Sequence, residues 1–514
     1  MPPESQLGIT YPEFGLLNYA VIGLYLVGML ALGAYFSRRQ VGTKAFFIAE
    51  GKLPAWLVGL SLLGTYLSSL TVMALSGIAF GPDDWTWTVQ LPFLLVTAVV
   101  ITGFVLPRYR EAQVISVYQY LEQRIHVSSR VIGSLCFLAL QVGRMGLVLY
   151  LPALALHIVT GSDLVLTILV MGIVVTIYTV LGGIEGVIWT DAVQVAVFSV
   201  GAVLSILYIL GGVNATGGDF WALAAAHHKF RVLTWGTGAP FWQRFMDQSP
   251  AAQLTPWLVL ETLFQTVRIY GTQQDMTQRY MTTESTAQAN RSVWISILGY
   301  IPLAYLFYFI GAGLFVYYQA APDPNVPKLM AAGRNDSIFP YFIVTRLPAG
   351  IAGLVIAAIW AAAQSTIASS MNSSATVCVE DFYKRFWGTD KPDRHYLGVA
   401  RALTVVLGVL NIAAALLFMN IASAQKTWSK VMAYTTNGML GLMALAFLPF
   451  RVHRWAALIG FAASWLVLAH MMFFTKIVWL LYPVVGNLVC FFVALIAHSL
   501  LSKRDTSLPA AASG

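Results

Sequence analysis

Apolar runs of about 20 residues recur along this chain, each long enough to cross a hydrocarbon core of roughly 30 Å, and nothing else restricts the fold so strongly. Backbone inside lipid has no water to bond to, so each run must satisfy its own hydrogen bonds as a helix. About 13 such spans are expected, the first from Phe14 to Phe36. The 514 residues are 58% hydrophobic and only 10% charged, whereas soluble domains carry roughly 25% charged residues. The chain reads as an all-α polytopic membrane protein forming a single membrane domain.

The formal charge of +8 invites a nucleic-acid reading, but the basic residues sit where topology needs them. Arg38, Arg39, Lys44, Lys52, Arg108, Arg110, Arg130, Arg279, Arg291, Lys384 and Arg385 fall in or beside loops of one parity. The positive-inside rule makes that side cytoplasmic. The expected location is then the cell (inner) membrane, with the N-terminus outside and the C-terminus in the cytoplasm, and no nucleic-acid partner. Cys136, Cys378 and Cys490 lie in or beside apolar spans without ligand spacing, so they suggest neither a metal site nor a disulfide framework. A long outward loop, Val213 to Pro256, and a small polar tail from Asp505 complete the pattern.

One span is unlike the others. Gln364-Ser365-Thr366-Ile367-Ala368-Ser369-Ser370-Met371-Asn372 puts hydroxyl groups into the middle of an apolar helix, where polar groups need partners. A small hard cation such as Na⁺ prefers oxygen ligands and is a natural partner. Two further spans, five apart, are interrupted: Leu63-Gly64-Thr65-Tyr66-Leu67-Ser68-Ser69-Leu70-Thr71 and Gln265 to Asp275. Paired interruptions are the signature of an inverted-repeat transporter with its sites at the breaks. Small residues also serve close helix packing, which would account for Gly64 but not for Arg268.

At this point the chain resembles the sodium:solute symporter family. The resemblance is carried by Phe46 to Pro54, by Gly182-Gly183-Ile184-Glu185-Gly186 through Gln194, by Gln274-Asp275-Met276-Thr277-Gln278-Arg279-Tyr280, and by Ser365 through Tyr383. It implies a LeuT-type 5+5 inverted repeat, with an extra N-terminal helix over 14–36, a first repeat over 54–212, a second over 257–450 and two C-terminal helices over 455–500. It also implies a sodium site formed by the carbonyls of Gly64, Leu67 and Ala362 and the hydroxyls of Ser365 and Thr366, with Asp191 nearby. The spacing agrees: Ala362, Ser365 and Thr366 share one helical face. Members with a second sodium use a hydroxyl where this chain has Ala368, so one sodium per substrate is expected.

Arg144 stands deep in a span with no acid one helical turn away, and an intramembrane guanidinium marks a functional site by default. Its planar fork suits a carboxylate. The pattern resembles the sialic-acid-transporting branch of the family, and the resemblance assigns Ser68, Thr71, Gln90 and Arg144 to the substrate. Arg268 is a second candidate clamp. The branch's pattern is broken at Tyr66 and Thr86, and Arg144 aligns after a one-residue shift. The expectation is a monomeric sodium symporter that imports a small acidic sugar across the bilayer by alternating access. Sodium- or proton-driven uptake of another small carboxylate stays open, with Asp191 as the proton carrier in the latter. A membrane enzyme or a non-transporting sensor is also weighed, but His227-His228 lacks a third ligand at helical spacing.

Overall fold

The structure, a computed structural model, describes Ile9 and residues 13–81, 85–232, 255–419 and 432–505. Half of the loop expected to face outward (233–254), the start of the span expected at Trp428 and the tail beyond Asp505 lie outside the described residues.

Among the described residues the regular elements are all helical. Fourteen position the site. They are α1 (Leu16–Ser37), α2 (Ala55–Tyr66), α3 (Ser69–Phe80), α4 (Thr86–Glu111), α5 (Val127–Thr160), α6 (Leu164–Ala215), α7 (Thr255–Thr272), α8 (Gln274–Tyr280), α9 (Thr286–Ala320), α10 (Ile351–Val377), α11 (Asp393–Phe418), α12 (Met439–Ala446), α13 (Arg454–Phe474) and α14 (Tyr482–Asp505).

By length and apolarity nine described helices suffice to cross a membrane, or ten if a pair bent by 114°, Thr43–Gly51 with α2, is one span. The expected total of about 13 is not confirmed by this measure, for two physical reasons. The interrupted spans divide into pieces that are too short, such as the 12-residue α2 and α3, or too polar, such as the 18-residue α7 with Glu261, Gln265 and Arg268. In the other direction, α6 runs for 52 residues, about 78 Å of helix, more than twice what a bilayer requires. It bends at Gly183, whose φ of 55° and ψ of −160° lie outside the helical region. A Cβ there would come within 2.6 Å of the Gln40 side chain and 2.9 Å of Phe46, so only glycine fits this corner.

Helix α10 is the centre of the bundle. Of its most apolar window 89% is buried, against 28% for α1. It packs on α6, α5, α2, α3, α8 and α1. Helix α9 covers α2 and α3, while α13 and α14 pack on each other at the periphery. The far end of α3 is closed by the loop that follows α6. Lys229 Nζ donates to the carbonyls of Phe80 (3.1 Å) and Gly81 (2.8 Å) and sits 4.1 Å from the Phe315 ring centre. A cation there complements the helix dipole.

Two of the basic residues placed in or beside loops are buried. Arg130 is 6% exposed and pairs with Asp381 and Glu122; Arg279 is fully buried. Each folds back against an acid from a distant helix, a partner that loop parity does not reveal.

Candidate functional site

Both interrupted spans break where the sequence places them. Helix α2 ends at Tyr66, and Leu67 (φ −88°, ψ 116°) and Ser68 (φ −112°, ψ 167°) are extended before α3 begins. Ser68 Oγ then caps α3 by accepting from the Thr71 amide at 3.3 Å. Helix α7 gives way to α8 at Gln273 (φ −92°, ψ 133°).

The carbonyls released at the two breaks fare differently. Three successive carbonyls at the end of α7 each receive a tyrosine hydroxyl: Tyr270 from Tyr280 (2.8 Å), Gly271 from Tyr109 (2.5 Å) and Thr272 from Tyr118 (3.2 Å). At the first break the Thr65 carbonyl accepts from Arg144 Nη2 at 2.9 Å. The Gly64 and Leu67 carbonyls accept no hydrogen bond from any described residue. Buried carbonyls without a donor are rare and require a partner.

That partner's place is defined by α10. Ser365 and Thr366 are fully buried, turned into the protein and away from lipid. A Cβ built on Gly64 would stand 2.9 Å from Ser365 Oγ, which brings the first break and the hydroxyl-bearing helix into contact. Ser365 Oγ donates to Asp191 Oδ1 at 2.7 Å, which leaves its lone pairs free to accept or coordinate. Thr366 Oγ1 bonds back to the Ala362 carbonyl at 3.3 Å. Gly64, Ser365 and Asp191 are thus assembled, Leu67 follows from the chain, and Ala362 and Thr366 occupy the adjoining turn. The oxygen-only donor set suits a hard monovalent cation.

Asp191 is fully buried and heavily engaged. Besides Ser365 it accepts from Ser61 and from Arg279 Nη2 at 2.9 Å, and Arg279 also reaches Ser61 (2.7 Å), Ser369 (2.5 Å) and the Asp275 carbonyl (2.7 Å). Arg279, Ser61 and Asp275 escaped sequence reasoning. The signal was present, because Asp275 and Arg279 belong to the motif over Gln274–Tyr280 at the second break.

The candidate substrate residues divide. Ser68 and Thr71 bring their hydroxyls within 3.2 Å. Arg144 contacts the first break directly, but the premise that it lacks a neutralising acid is corrected: Asp275, from α8, accepts from Nη1 at 2.8 Å. The search along its own helix missed a partner 131 residues away. Gln90 is tied to Thr262 (2.8 Å) and Tyr308 (3.5 Å) and bonds to none of Ser68, Thr71 or Arg144. Arg268 is 2% exposed; its Nε donates to Gln265 at 3.2 Å, and it lies within electrostatic reach of Glu261, Asp275 and Arg144.

A helical bundle with two discontinuous spans, an oxygen-lined gap beside one of them and arginines at mid-depth defines a cation-coupled secondary transporter. The profile of the sodium:solute symporter family matches residues 46–464. The chain therefore belongs to the sodium:solute symporter family, and Na⁺ is its coupling ion. It is 34% identical over 481 residues to the sodium/sialic acid symporter SiaT of Proteus mirabilis, covering 93% of each chain. It is 31% identical over 499 residues to the sodium/sialic acid symporter NanT of Aliivibrio fischeri, covering 96% of this chain and 95% of that one. Its fold matches a solved Na⁺-coupled sialic acid symporter, in a substrate-bound outward-open state, with a TM-score of 0.85 and 32% identity over 95% of this chain and 98% of that one. The LeuT-type fold and the transporter class are thereby established, and an enzyme is not what this family is.

Proposed function

We propose that the chain imports a sialic acid or a closely similar acidic sugar together with sodium, by alternating access. The observation that carries the reading is Arg144. It stands at mid-depth against the carbonyl of Thr65 in the first break and is still 15% exposed, in a chain whose similar relatives are named as sialic acid symporters.

Sodium takes the carbonyls of Gly64, Leu67 and Ala362 and the hydroxyls of Ser365 and Thr366. Asp191 orients the Ser365 hydroxyl and supplies negative charge in low dielectric without touching the ion. Binding orders the first break, and the substrate then meets Ser68, Thr71 and Arg144, with Gln90 and the buried Arg268 as further candidates that must be freed to reach it. The two five-helix repeats, 54–212 and 257–450, rock about this centre. Absence of a hydroxyl at Ala368 favours one sodium per substrate, and the basic loops favour an outside N-terminus and a cytoplasmic C-terminus in the inner membrane.

The test is uptake of N-acetylneuraminate into proteoliposomes under an imposed sodium gradient, against a panel of monocarboxylates. Accumulation that follows sodium, collapses with Ser365→Ala and is lost with Arg144→Ala is expected. Uptake that ignores sodium and follows a pH gradient overturns sodium coupling. Preference for a monocarboxylate overturns the choice of substrate.

A further inference from the structure

The geometry points to Asp275 as an internal stand-in for the substrate's carboxylate: it holds Arg144 in the empty carrier and is displaced when the anion arrives. The inference rests on the substrate being an anion that binds Arg144.

An arginine at mid-depth is costly when unpaired, and a carrier must return empty in every cycle. Asp275 removes that cost. Its Oδ2 accepts from Arg144 Nη1 at 2.8 Å, while the rest of the guanidinium fork is bound only through Nη2 to Thr65. The pair is lopsided: Asp275 is fully buried, whereas Arg144 keeps 15% of its side chain accessible. A ligand that reaches the accessible part of this pair therefore meets the arginine and not the acid.

The other oxygen supplies an independent observation. Asp275 Oδ1 is buried and has no hydrogen-bond partner. A carboxylate with one engaged and one orphaned oxygen is weakly compensated. Asp191 shows the contrast, since both of its oxygens are taken. An incoming carboxylate offers the guanidinium two parallel bonds where Asp275 offers one. The displaced acid is not stranded: Arg268 lies within electrostatic reach of it, and the terminal nitrogens of Arg268 donate to no described residue.

The exchange also touches the sodium end of the core. Arg279 binds the backbone carbonyl of Asp275 with one nitrogen and Asp191 with another, and Asp191 holds the Ser365 hydroxyl. Contiguity alone is not coupling. If Asp275 moves when the anion binds, however, the change reaches Arg279 within one residue, and linkage requires sodium and anion to help each other equally.

The full chain is purified, and binding of N-acetylneuraminate and of its uncharged methyl ester is measured at low and saturating sodium, with ²²Na⁺ binding as the control for folding. Asp275→Asn is expected to bind the anion about tenfold more tightly while the ester is unchanged, and the affinity gain produced by sodium is expected to shrink. Unchanged or weaker anion binding by a variant that still binds sodium overturns the proposal. If Asp275→Asn fails to bind sodium, Asp275→Ser must meet the same test. If both fail, wild type is read by infrared difference spectroscopy, where a substrate-induced shift of a buried carboxylate band is expected and its absence overturns the proposal. If wild type binds neither N-acetylneuraminate nor its ester, the substrate reading has failed separately, and the comparison is made with lactate against lactamide.

Discussion

The two interrupted spans solve one problem in opposite ways. Both expose carbonyls in the middle of a membrane, where each lost hydrogen bond is expensive. At the second break the protein fills the need itself, with Tyr280, Tyr109 and Tyr118 each donating to one carbonyl of α7. At the first break it withholds the donors from Gly64 and Leu67 and brings Ser365 alongside instead. The first break keeps two carbonyls without a donor among the described residues; the second is sealed by its neighbours. This difference supports the proposed ion position more than the presence of two breaks does, because paired interruptions alone would offer both.

Three substitutions break or sharpen the contrast. Removing the hydroxyl proposed to bind the ion is expected to have the largest effect: Ser365→Ala should raise half-saturating sodium about a hundredfold in uptake assays, and it also strips Asp191 of a donor. A smaller effect follows from crowding the same gap. Gly64→Ala sets a methyl 2.9 Å from Ser365 Oγ and 3.2 Å from Val195, so sodium affinity should fall about tenfold, measured by ²²Na⁺ binding. The smallest is at the sealed break. Tyr109→Phe deletes the donor to Gly271 and should cost about 1 kcal/mol of stability with half-saturating sodium unchanged, as thermal unfolding and uptake will show. A sodium shift with Tyr109→Phe larger than that with Gly64→Ala would erase the distinction.

The same contrast explains what could be read from the sequence. Membrane spans, their two interruptions and the hydroxyl-bearing helix are local patterns, visible in composition and period, and all are present. The contact between Gly64 and Ser365 was implied by family resemblance, since no spacing rule joins residues 301 positions apart. The ion pairs were hidden. Arg144 looked unpaired because its acid comes from another helix, and Arg279 looked like a loop cation because its span ends one turn later. Gln90 was assigned by alignment, yet in this structure Thr262 and Tyr308 hold it. Corners behave similarly: Gly183 was visible as part of a motif, but not as the hinge of a 52-residue helix.

Lys229 gives the second half of the first interrupted span a fixed tether. Its ammonium grips the last carbonyls of α3, while Ser68 caps the opposite end, so α3 is a rod clasped at both tips. A rod held in this way resists fraying at its far tip, and any pivot must carry the loop after α6 with it or break the bonds to the ammonium. The far end of α3 is thereby tied to the loop after α6, and a ligand or antibody that immobilises that loop is expected to slow any motion of α3.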